Sequence, residues 1–136
     1  MKLIKLAFLF SLVFTLGACS QNGKSKNYDE TVIVQITPTD LKQETLDDIQ
    51  LIDVRTPMEV SDGTIQGAEN MNCLDSDFME KVATLDKNKP VYLYCKSGGR
   101  SARSAKQLAD AGFTKIYDLQ GGITAWKAEG NEVVVD

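Results

Sequence analysis

The sequence predicts one α/β domain with an open, mostly parallel five-stranded sheet and helices on both of its faces. Short apolar runs alternate with helical patterns along most of the chain, an order typical of parallel strands joined by helical crossovers. The run Val91–Tyr94 is apolar throughout, as expected of a strand that is covered on both faces. The hydrophobic period switches between two and three to four residues, which favours the same fold class.

Two helix boundaries carry local signals. Thr56, Pro57 and Glu59 stand where an N-cap, a first-turn proline and the third residue of a capping box are expected. Gly112 stands where a helix that starts at Ser101 would have its C-terminal cap. The predicted strands are residues 32–36, 50–54, 68–72, 91–94 and 115–119. Three further helices are predicted: one starts near Thr39, a second buries Phe78, Val82 and Leu85 on one face, and a short last helix buries Ile123 and Trp126.

Residues 1–18 are predicted to be a secretory signal peptide. Lys2 and Lys5 precede an apolar run over residues 6–16, which is shorter than the roughly 20 residues of a membrane-spanning helix. The run ends in the residues LGAC, which resemble a bacterial lipobox and imply cleavage before Cys19 and lipid attachment to it. The chain would then be anchored to a bacterial membrane on its extracytoplasmic side, periplasmic or at the cell surface, with residues 19–30 as lipidated cysteine and flexible spacer and residues 31–136 as the domain. The alternative is an ordinary signal peptide with a chance cysteine.

Composition excludes several classes of function. The signal segment contributes two of the 15 basic residues and none of the 19 acidic ones, so the remaining 118 residues carry a net charge of −6. This charge argues against binding of nucleic acid, and membrane attachment must come from the lipid. The sequence contains no histidine, which excludes a Cys-His pair, a Ser-His-Asp triad and imidazole metal ligands. No metal or cofactor is expected, and Cys73 is interpreted as a spectator rather than a redox partner of Cys95.

Cys95 stands where a predicted strand gives way to a loop and a helix, the position at which α/β sheets bind ligands. Glycines allow the loop amides to turn toward an anion, and the amino terminus of the helix adds a partial positive charge. Lys96 and Arg100 add two full charges, and the guanidinium of Arg100 is expected to bond both loop carbonyls and an anionic donor. These features predict a thiol pKa below its usual ~8.5 and a nucleophile that needs no histidine. A buried structural cysteine is the alternative.

The loop from Cys95 to Arg100, with Ser101, resembles the six-residue active loop of rhodanese-type single-domain sulfurtransferases. The resemblance covers about residues 31–130, essentially the whole predicted domain, and implies a rhodanese-like form of the predicted sheet. Further segments resemble the same family in the same order: Asp53-Val54-Arg55 with Glu59, Gly63–Ala68 with Thr64 in place of the usual histidine, Gly112-Phe113, Tyr117–Leu119, and Gly121–Ile123 before Trp126.

The resemblance implies a sulfurtransferase of the thiosulfate sulfurtransferase type. The thiolate of Cys95 would take a sulfane sulfur from thiosulfate or a polysulfide as a persulfide, and would pass it to a thiol, to cyanide or to a protein acceptor. Asp53, Arg55 and Glu59 would either orient the loop, with Asp53 or Glu59 as the partner of Arg55, or simply form a salt-bridged support under it. Cys95 is then the catalytic residue, and Lys96, Ser97, Gly98, Gly99, Arg100 and Ser101 bind the substrate.

Two other functions are compatible with parts of the sequence. A cysteine-dependent phosphatase or arsenate reductase has five residues between its cysteine and arginine, whereas four separate Cys95 from Arg100. The shorter loop encloses a smaller pocket, which suits one sulfur atom better than a tetrahedral oxyanion. A non-catalytic rhodanese module, which carries sulfur for a partner or senses an anion, would share the loop residues with an enzyme.

Overall fold

The computed structural model describes residues 32–44, 46 and 48–135, so the predicted signal peptide, Cys19 and the spacer lie outside the described residues. Within the described residues, strands alternate with helices, and no helix has both the length and the apolar character needed to cross a membrane. The elements are β1 Val32–Ile36, α1 Pro38–Gln43, β2 Gln50–Asp53, α2 Pro57–Ser61, β3 Glu69–Asn70, α3 Phe78–Val82, β4 Val91–Tyr94, α4 Gly99–Asp110, β5 Lys115–Leu119 and α5 Gly122–Ala128.

The five strands form one sheet in the order β1-β5-β4-β2-β3, and all neighbouring strands are parallel. The predicted fold class is confirmed, and the sheet is parallel throughout rather than mostly so. β4 is the middle strand, and its Leu93 is paired with Ile52 of β2 and with Asp118 of β5. Because all strands point the same way, Cys95 lies at the carboxyl edge of the sheet, next to its centre.

Helices cover both faces of the sheet. One core cluster contains Leu93 with Phe78 of α3 and Leu108 of α4, and the other contains Leu41 of α1 and Trp126 of α5. All four residues of β4 are buried, as its apolar run predicted. Each such side chain contributes about 1.5–3 kcal/mol when it leaves water, so both faces hold β4 in place.

Several boundaries differ from the predictions: β2 ends at Asp53 rather than at residue 54, and α3 ends at Val82, before Leu85. Two further differences concern α4 and β3. α4 begins at Gly99, two residues before Ser101, because Gly98 takes a left-handed conformation with φ 114° that turns the chain directly into the helix. β3 contains only Glu69–Asn70, instead of residues 68–72. Beyond β3 the backbone hydrogen bonds to the end of β2 become irregular. The amide of Met71 donates to Asp53, but that of Cys73 donates to Val54, whereas regular parallel pairing would continue to Arg55.

The first turn of α5 holds the start of the Cys95 loop. The amide of Ile123 donates to the carbonyl oxygen of Cys95 at 2.9 Å, and that of Thr124 donates to the carbonyl oxygen of Lys96 at 3.1 Å. Gly122, with φ 59°, lies against both carbonyls, and a Cβ at this position would lie 2.6 Å from the Lys96 oxygen and closer still to that of Cys95. Only glycine allows this approach, so a residue pair predicted as a turn also positions the loop.

Gly122→Ala is expected to lower the free energy of unfolding by about 2–5 kcal/mol, because it adds backbone strain and a clash with the loop carbonyls. Gly130→Ala is the matched control: Gly130 also has a positive φ, of 80°, but no atom lies within 4 Å of its would-be Cβ. The control isolates the backbone strain, which costs about 1–2 kcal/mol. Urea denaturation followed by circular dichroism measures both variants. Equal losses would contradict a tight contact between α5 and the loop.

Candidate active site

The sulfur of Cys95 is enclosed by its own loop. Cys95 is 1% exposed, and the amide of Gly98 donates to its Sγ at 3.1 Å. Burial alone raises the pKa of the thiol, but hydrogen bonds from the amide and hydroxyl of Ser101 and from the amides of Gly98 and Ser97 outweigh burial, and the pKa of Cys95 is lowered. Backbone groups at the amino terminus of α4 therefore stabilise a thiolate where histidine is lacking.

Other loop residues face the solvent. Lys96 is exposed, and Gly99 is exposed with no atom within 4 Å of a Cβ built on it. Lys96 lines a cavity of about 160 Å³ beside the loop, where two lysines are mixed with two carboxylates. Lys96 and Lys127 are the exposed cations of this lining. The cavity is lined by Arg55, Glu59, Asp62, Lys96, Ile123, Thr124 and Lys127.

The guanidinium of Arg100 is bound by Glu59. Its Nη1 donates to Oε2 at 2.8 Å and its Nη2 to Oε1 at 2.6 Å, so the terminal nitrogens bond this carboxylate instead of the expected loop carbonyls. The hydrogen bonds from Arg100 lower the pKa of Glu59 to about 2, and Glu59 in turn raises the pKa of Arg100. Glu59 also accepts from the amide of Thr56 at 3.1 Å, which completes the predicted capping box of α2. One carboxylate therefore joins α2 to the first turn of α4.

Asp53 is the carboxylate partner of Arg55. Nε of Arg55 donates to Oδ1 at 2.9 Å and Nη2 donates to Oδ2 at 2.5 Å, with both side chains buried. Glu59, the other predicted partner, gives Arg55 only its backbone oxygen, at 3.1 Å from Nη1. Nη2 also donates to the carbonyl of Gly63 at 2.8 Å. The structure thus brings Asp53, Arg55 and Glu59 together, but divides them between two ion pairs.

Thr64 completes the buried end of this network. Its Oγ1 lies 3.0 Å from Oδ2 of Asp53 and 2.7 Å from the hydroxyl of Tyr94, which also accepts from the amide of Ile65 at 3.0 Å. At the position where the family motif usually has histidine, this chain therefore has a hydroxyl that bridges β2 and β4. Sequence reasoning noted the departure but not this contact, because a loop threonine has no pattern that points to a partner 30 residues away.

Cys73 and Arg100 line the same cavity. Cys73 is half-buried and packs against the core cluster that contains Cys95. The cavity has a volume of about 370 Å³ and is also lined by Leu74, Arg103, Ser104 and Gln107. No cluster of side chains able to hold a metal ion occurs in the part of the chain that the structure describes.

Comparisons with known proteins identify the family. A family model described as the rhodanese-like domain matches residues 37–129. A sulfurtransferase of Allochromatium vinosum is 32% identical over 88 residues, which cover 65% of this chain and 80% of that protein. The uncharacterized protein YqhL of Bacillus subtilis is 44% identical over 77 residues, which cover 57% of this chain and only 60% of that protein.

Solved structures share the fold. The polysulfide-sulfur transferase homodimer of Wolinella succinogenes superposes with a TM-score of 0.62 at 34% identity, and the match covers 76% of this chain and 80% of that one. The parallel sheet, the cysteine loop at the end of its middle strand and the matched residues agree with one another. The chain therefore belongs to the rhodanese-like domain family, whose relatives named as sulfurtransferases support sulfur transfer as its general chemistry.

Proposed function

We propose that the chain is a sulfurtransferase of the thiosulfate sulfurtransferase type, in which Cys95 carries the sulfur as a persulfide. The observation that supports this most directly is a buried thiol whose Sγ accepts a backbone hydrogen bond from Gly98 and whose pKa is lowered by loop amides and the hydroxyl of Ser101 despite burial. A lowered pKa increases the fraction of the thiol that is present as the nucleophilic thiolate, without a separate base.

The reaction has two displacements. The thiolate of Cys95 attacks the outer sulfur of thiosulfate, a new S–S bond forms, and the bond inside the donor breaks so that sulfite leaves with its electron pair. A polysulfide reacts in the same way and leaves as a shorter polysulfide. A nucleophilic acceptor, such as a thiol, cyanide or a protein thiol, then attacks the terminal sulfur and restores the thiolate. Each displacement moves one sulfur atom and consumes no proton.

The charge on the sulfur stays the same through the first step, because a thiolate becomes a persulfide anion. The loop amides that stabilise the thiolate are therefore placed to stabilise the persulfide as well, by the logic of an oxyanion hole. We assign Gly98 to this task because its amide donates to Sγ, and Ser97 and Ser101 because they lower the pKa of the thiol. Lys96 and Lys127, at the rim of the neighbouring cavity, would attract anionic donors.

Arg100 has a different place in the proposal. Its side chain is 20% exposed and is held by Glu59, so it stiffens the first turn of α4 and offers an anionic donor only a compensated charge. The similarity to a polysulfide-sulfur transferase supports polysulfide as one donor. Turnover with thiosulfate or polysulfide and cyanide, compared with transfer to a protein thiol, distinguishes an enzyme from a sulfur carrier or sensor.

We further propose that residues 1–18 are removed and that Cys19 carries a lipid that anchors the domain to a membrane, on the side that faces away from the cytoplasm. The support comes from the basic start, the apolar run and the LGAC ending of the sequence. An anchored domain with a polar spacer would act on sulfur compounds, or on a protein acceptor, close to that membrane.

Cys95→Ser is expected to abolish both persulfide formation and turnover, because a serine hydroxyl stays protonated at neutral pH. Mass spectrometry of the purified chain after exposure to thiosulfate or polysulfide should find one added sulfur atom on Cys95 in the parent and none in the variant. Cys73→Ser is the control and should keep the modification. Turnover that survives in Cys95→Ser would rule out the proposed mechanism.

Glu59→Gln should lower the free energy of unfolding at pH 7 by about 1–3 kcal/mol, because the charged acceptor of Arg100 is lost. The pKa of Glu59 is lowered from 4.5 to about 2 in the native chain, so the unfolded chain binds more protons between these values. The stabilisation is complete above pH 4.5 and declines as the pH falls toward about 2. Urea denaturation at pH 7 and at lower pH measures it, with the exposed Glu80→Gln as control. A difference that does not shrink in acid would contradict the ion pair.

Cys19→Ser should release the chain from the membrane fraction or leave it as an uncleaved precursor, because only a thiol at this position can be acylated. Fractionation of cells that express the parent and the variant, followed by mass determination of the amino terminus, tests this. Cys73→Ser should fractionate like the parent. If Cys19→Ser also does so, the lipid anchor does not exist.

A further inference from the structure

The cavity of about 370 Å³ that contains Cys73 adjoins the cysteine loop, in addition to the smaller cavity of about 160 Å³ that contains Lys96. Glu59 lines the smaller cavity and Arg100 lines the larger one, so their ion pair connects the walls of the two. One wall of the larger cavity is the segment after β3, and the other is one side of α4, where residues three and four positions apart are neighbours. The α4 wall consists of Arg100, Arg103, Ser104 and Gln107.

The larger cavity has a positively charged lining. No carboxylate occurs among the described residues that line it. Arg100 is paired with Glu59, but Arg103 is exposed and forms no ion pair within the part of the chain that the structure describes. The guanidinium of Arg103 therefore offers an uncompensated charge whose donors suit a carboxylate. The smaller cavity differs, because its lysines are accompanied by Glu59 and Asp62.

Ser104 adds a buried polar group that lacks a partner. It is 1% exposed, and its Oγ has no hydrogen-bond partner among the described residues. A buried hydroxyl without a partner is costly, so such a group in a folded protein calls for a ligand or a water molecule to complete it. Ser104 lines the cavity, and the amide of Gln107 lies one turn further along the same wall. A ligand in the cavity can therefore be met by a guanidinium, a hydroxyl and an amide.

The size of the larger cavity and the apolar part of its lining indicate an organic ligand. Its volume of about 370 Å³ lies within the range of roughly 300–1,000 Å³ that is typical of small-molecule sites. The wall after β3 contributes Leu74, which is 66% exposed, and the half-buried thiol of Cys73. An inorganic oxyanion would use the polar groups and leave Leu74 without a contact. A small carbon skeleton with one anionic group uses both.

We propose that the larger cavity binds the sulfur acceptor, and that this acceptor is a small organic thiol whose carboxylate is held by Arg103 and Ser104. Arg103 is then a specificity-determining residue. The proposal rests on the proposed function of Cys95, because Arg100 belongs both to this cavity and to the loop that encloses the sulfur. The acceptor thiolate, whose proton has gone to the solvent, attacks the terminal sulfur of the persulfide. The new S–S bond replaces the bond to Cys95, which leaves as a thiolate, and the acceptor departs as a persulfide anion.

The acceptor specificity is tested by the steady-state kinetics of the full chain, followed as thiol-dependent release of sulfite from saturating thiosulfate. N-acetylcysteine and its amide differ only in the carboxylate. Arg103→Gln should raise the KM for N-acetylcysteine by about five- to fiftyfold and leave that for the amide within about twofold. Lys106→Gln removes the same charge from an exposed position of α4 outside the cavity, and should leave both values within about twofold.

Ser104→Ala tests the hydroxyl separately. It should raise the KM for N-acetylcysteine by about two- to tenfold, because one hydrogen bond to the carboxylate is lost. The fold should be kept, since Oγ of Ser104 has no partner among the described residues that the change could remove. An unchanged KM would contradict the assignment of Ser104 to the carboxylate.

A second measurement does not depend on sulfur transfer. In the Cys95→Ser chain, peptide mass spectrometry follows the alkylation of Cys73 by iodoacetate, which is an anion, and by iodoacetamide, which is neutral and of nearly the same size. Arg103→Gln should lower the ratio of the two rates by about three- to tenfold, because the cation no longer concentrates the anion beside Cys73. Lys106→Gln should leave this ratio unchanged.

Several outcomes would overturn the proposal. An equal rise of the KM for the acid and for the amide in Arg103→Gln would mean that Arg103 does not recognise the carboxylate. A rise in the KM for thiosulfate alone would assign the cavity to the sulfur donor. An unchanged ratio of alkylation rates would show that the cavity does not attract anions, whether or not the chain transfers sulfur. Absence of turnover with every donor and acceptor would instead contradict the proposed function.

Discussion

The removal of water from a sulfur anion is the constraint that explains most of the structure around Cys95. A thiolate that is 1% exposed must find hydrogen-bond donors in the protein, because burial alone would keep the thiol protonated. The loop supplies them by turning its amides inward at Gly98 and by starting α4 immediately afterwards. The carbonyls displaced outward by this turn are satisfied by α5, and the closeness of that contact requires glycine at position 122.

The charged side chains of the site have a different function from the backbone amides of the loop. Arg55 and Arg100, the arginines within the network, are each bound by a carboxylate, Asp53 and Glu59 respectively. The pairs link β2, α2 and α4, so they hold the walls of the site together rather than place a free cation beside the sulfur. In the proposed reaction, neutral donors would stabilise the sulfur both as thiolate and as persulfide, because the two forms carry the same charge.

The family relationship and the geometry agree on the class of chemistry. Relatives named as sulfurtransferases share the domain, and the loop of this chain encloses one sulfur atom with donors on its inner side. Lys96 and Lys127 line the adjacent cavity, are exposed and take no part in the two buried or half-buried ion pairs of the arginines, so the proposed reaction would use them to attract an anionic donor. In the proposed reaction, exposed side chains would meet the sulfur donor, whereas buried groups set the nucleophilicity of Cys95.

Local patterns in the sequence were sufficient for much of the architecture. The apolar run of β4, the capping box at Thr56 and Glu59, and the glycine-rich loop after Cys95 each involve residues within a few positions of one another, so their physical consequences can be predicted without a fold. The sheet class followed from the alternation of such segments. The predictions of where α4 starts and how long β3 is were less accurate. The start of α4 depends on the conformation of Gly98, and the length of β3 depends on irregular pairing with β2.

The tertiary structure was needed to identify which residues contact the charged side chains, Thr64 and Gly122. Glu59 pairs with Arg100 across 41 positions, Thr64 meets Tyr94 across 30, and Gly122 touches the carbonyl of Cys95 from another helix. Asp118 of β5 is buried beside Leu93 of β4, a pairing that only the order of the strands decides. The sequence by itself determined which segments fold and which cysteine ends the middle strand, because those properties are local. The tertiary structure decided which donors reach the sulfur, because hydrogen bonds and ion pairs depend on distances that close only when the sheet has assembled.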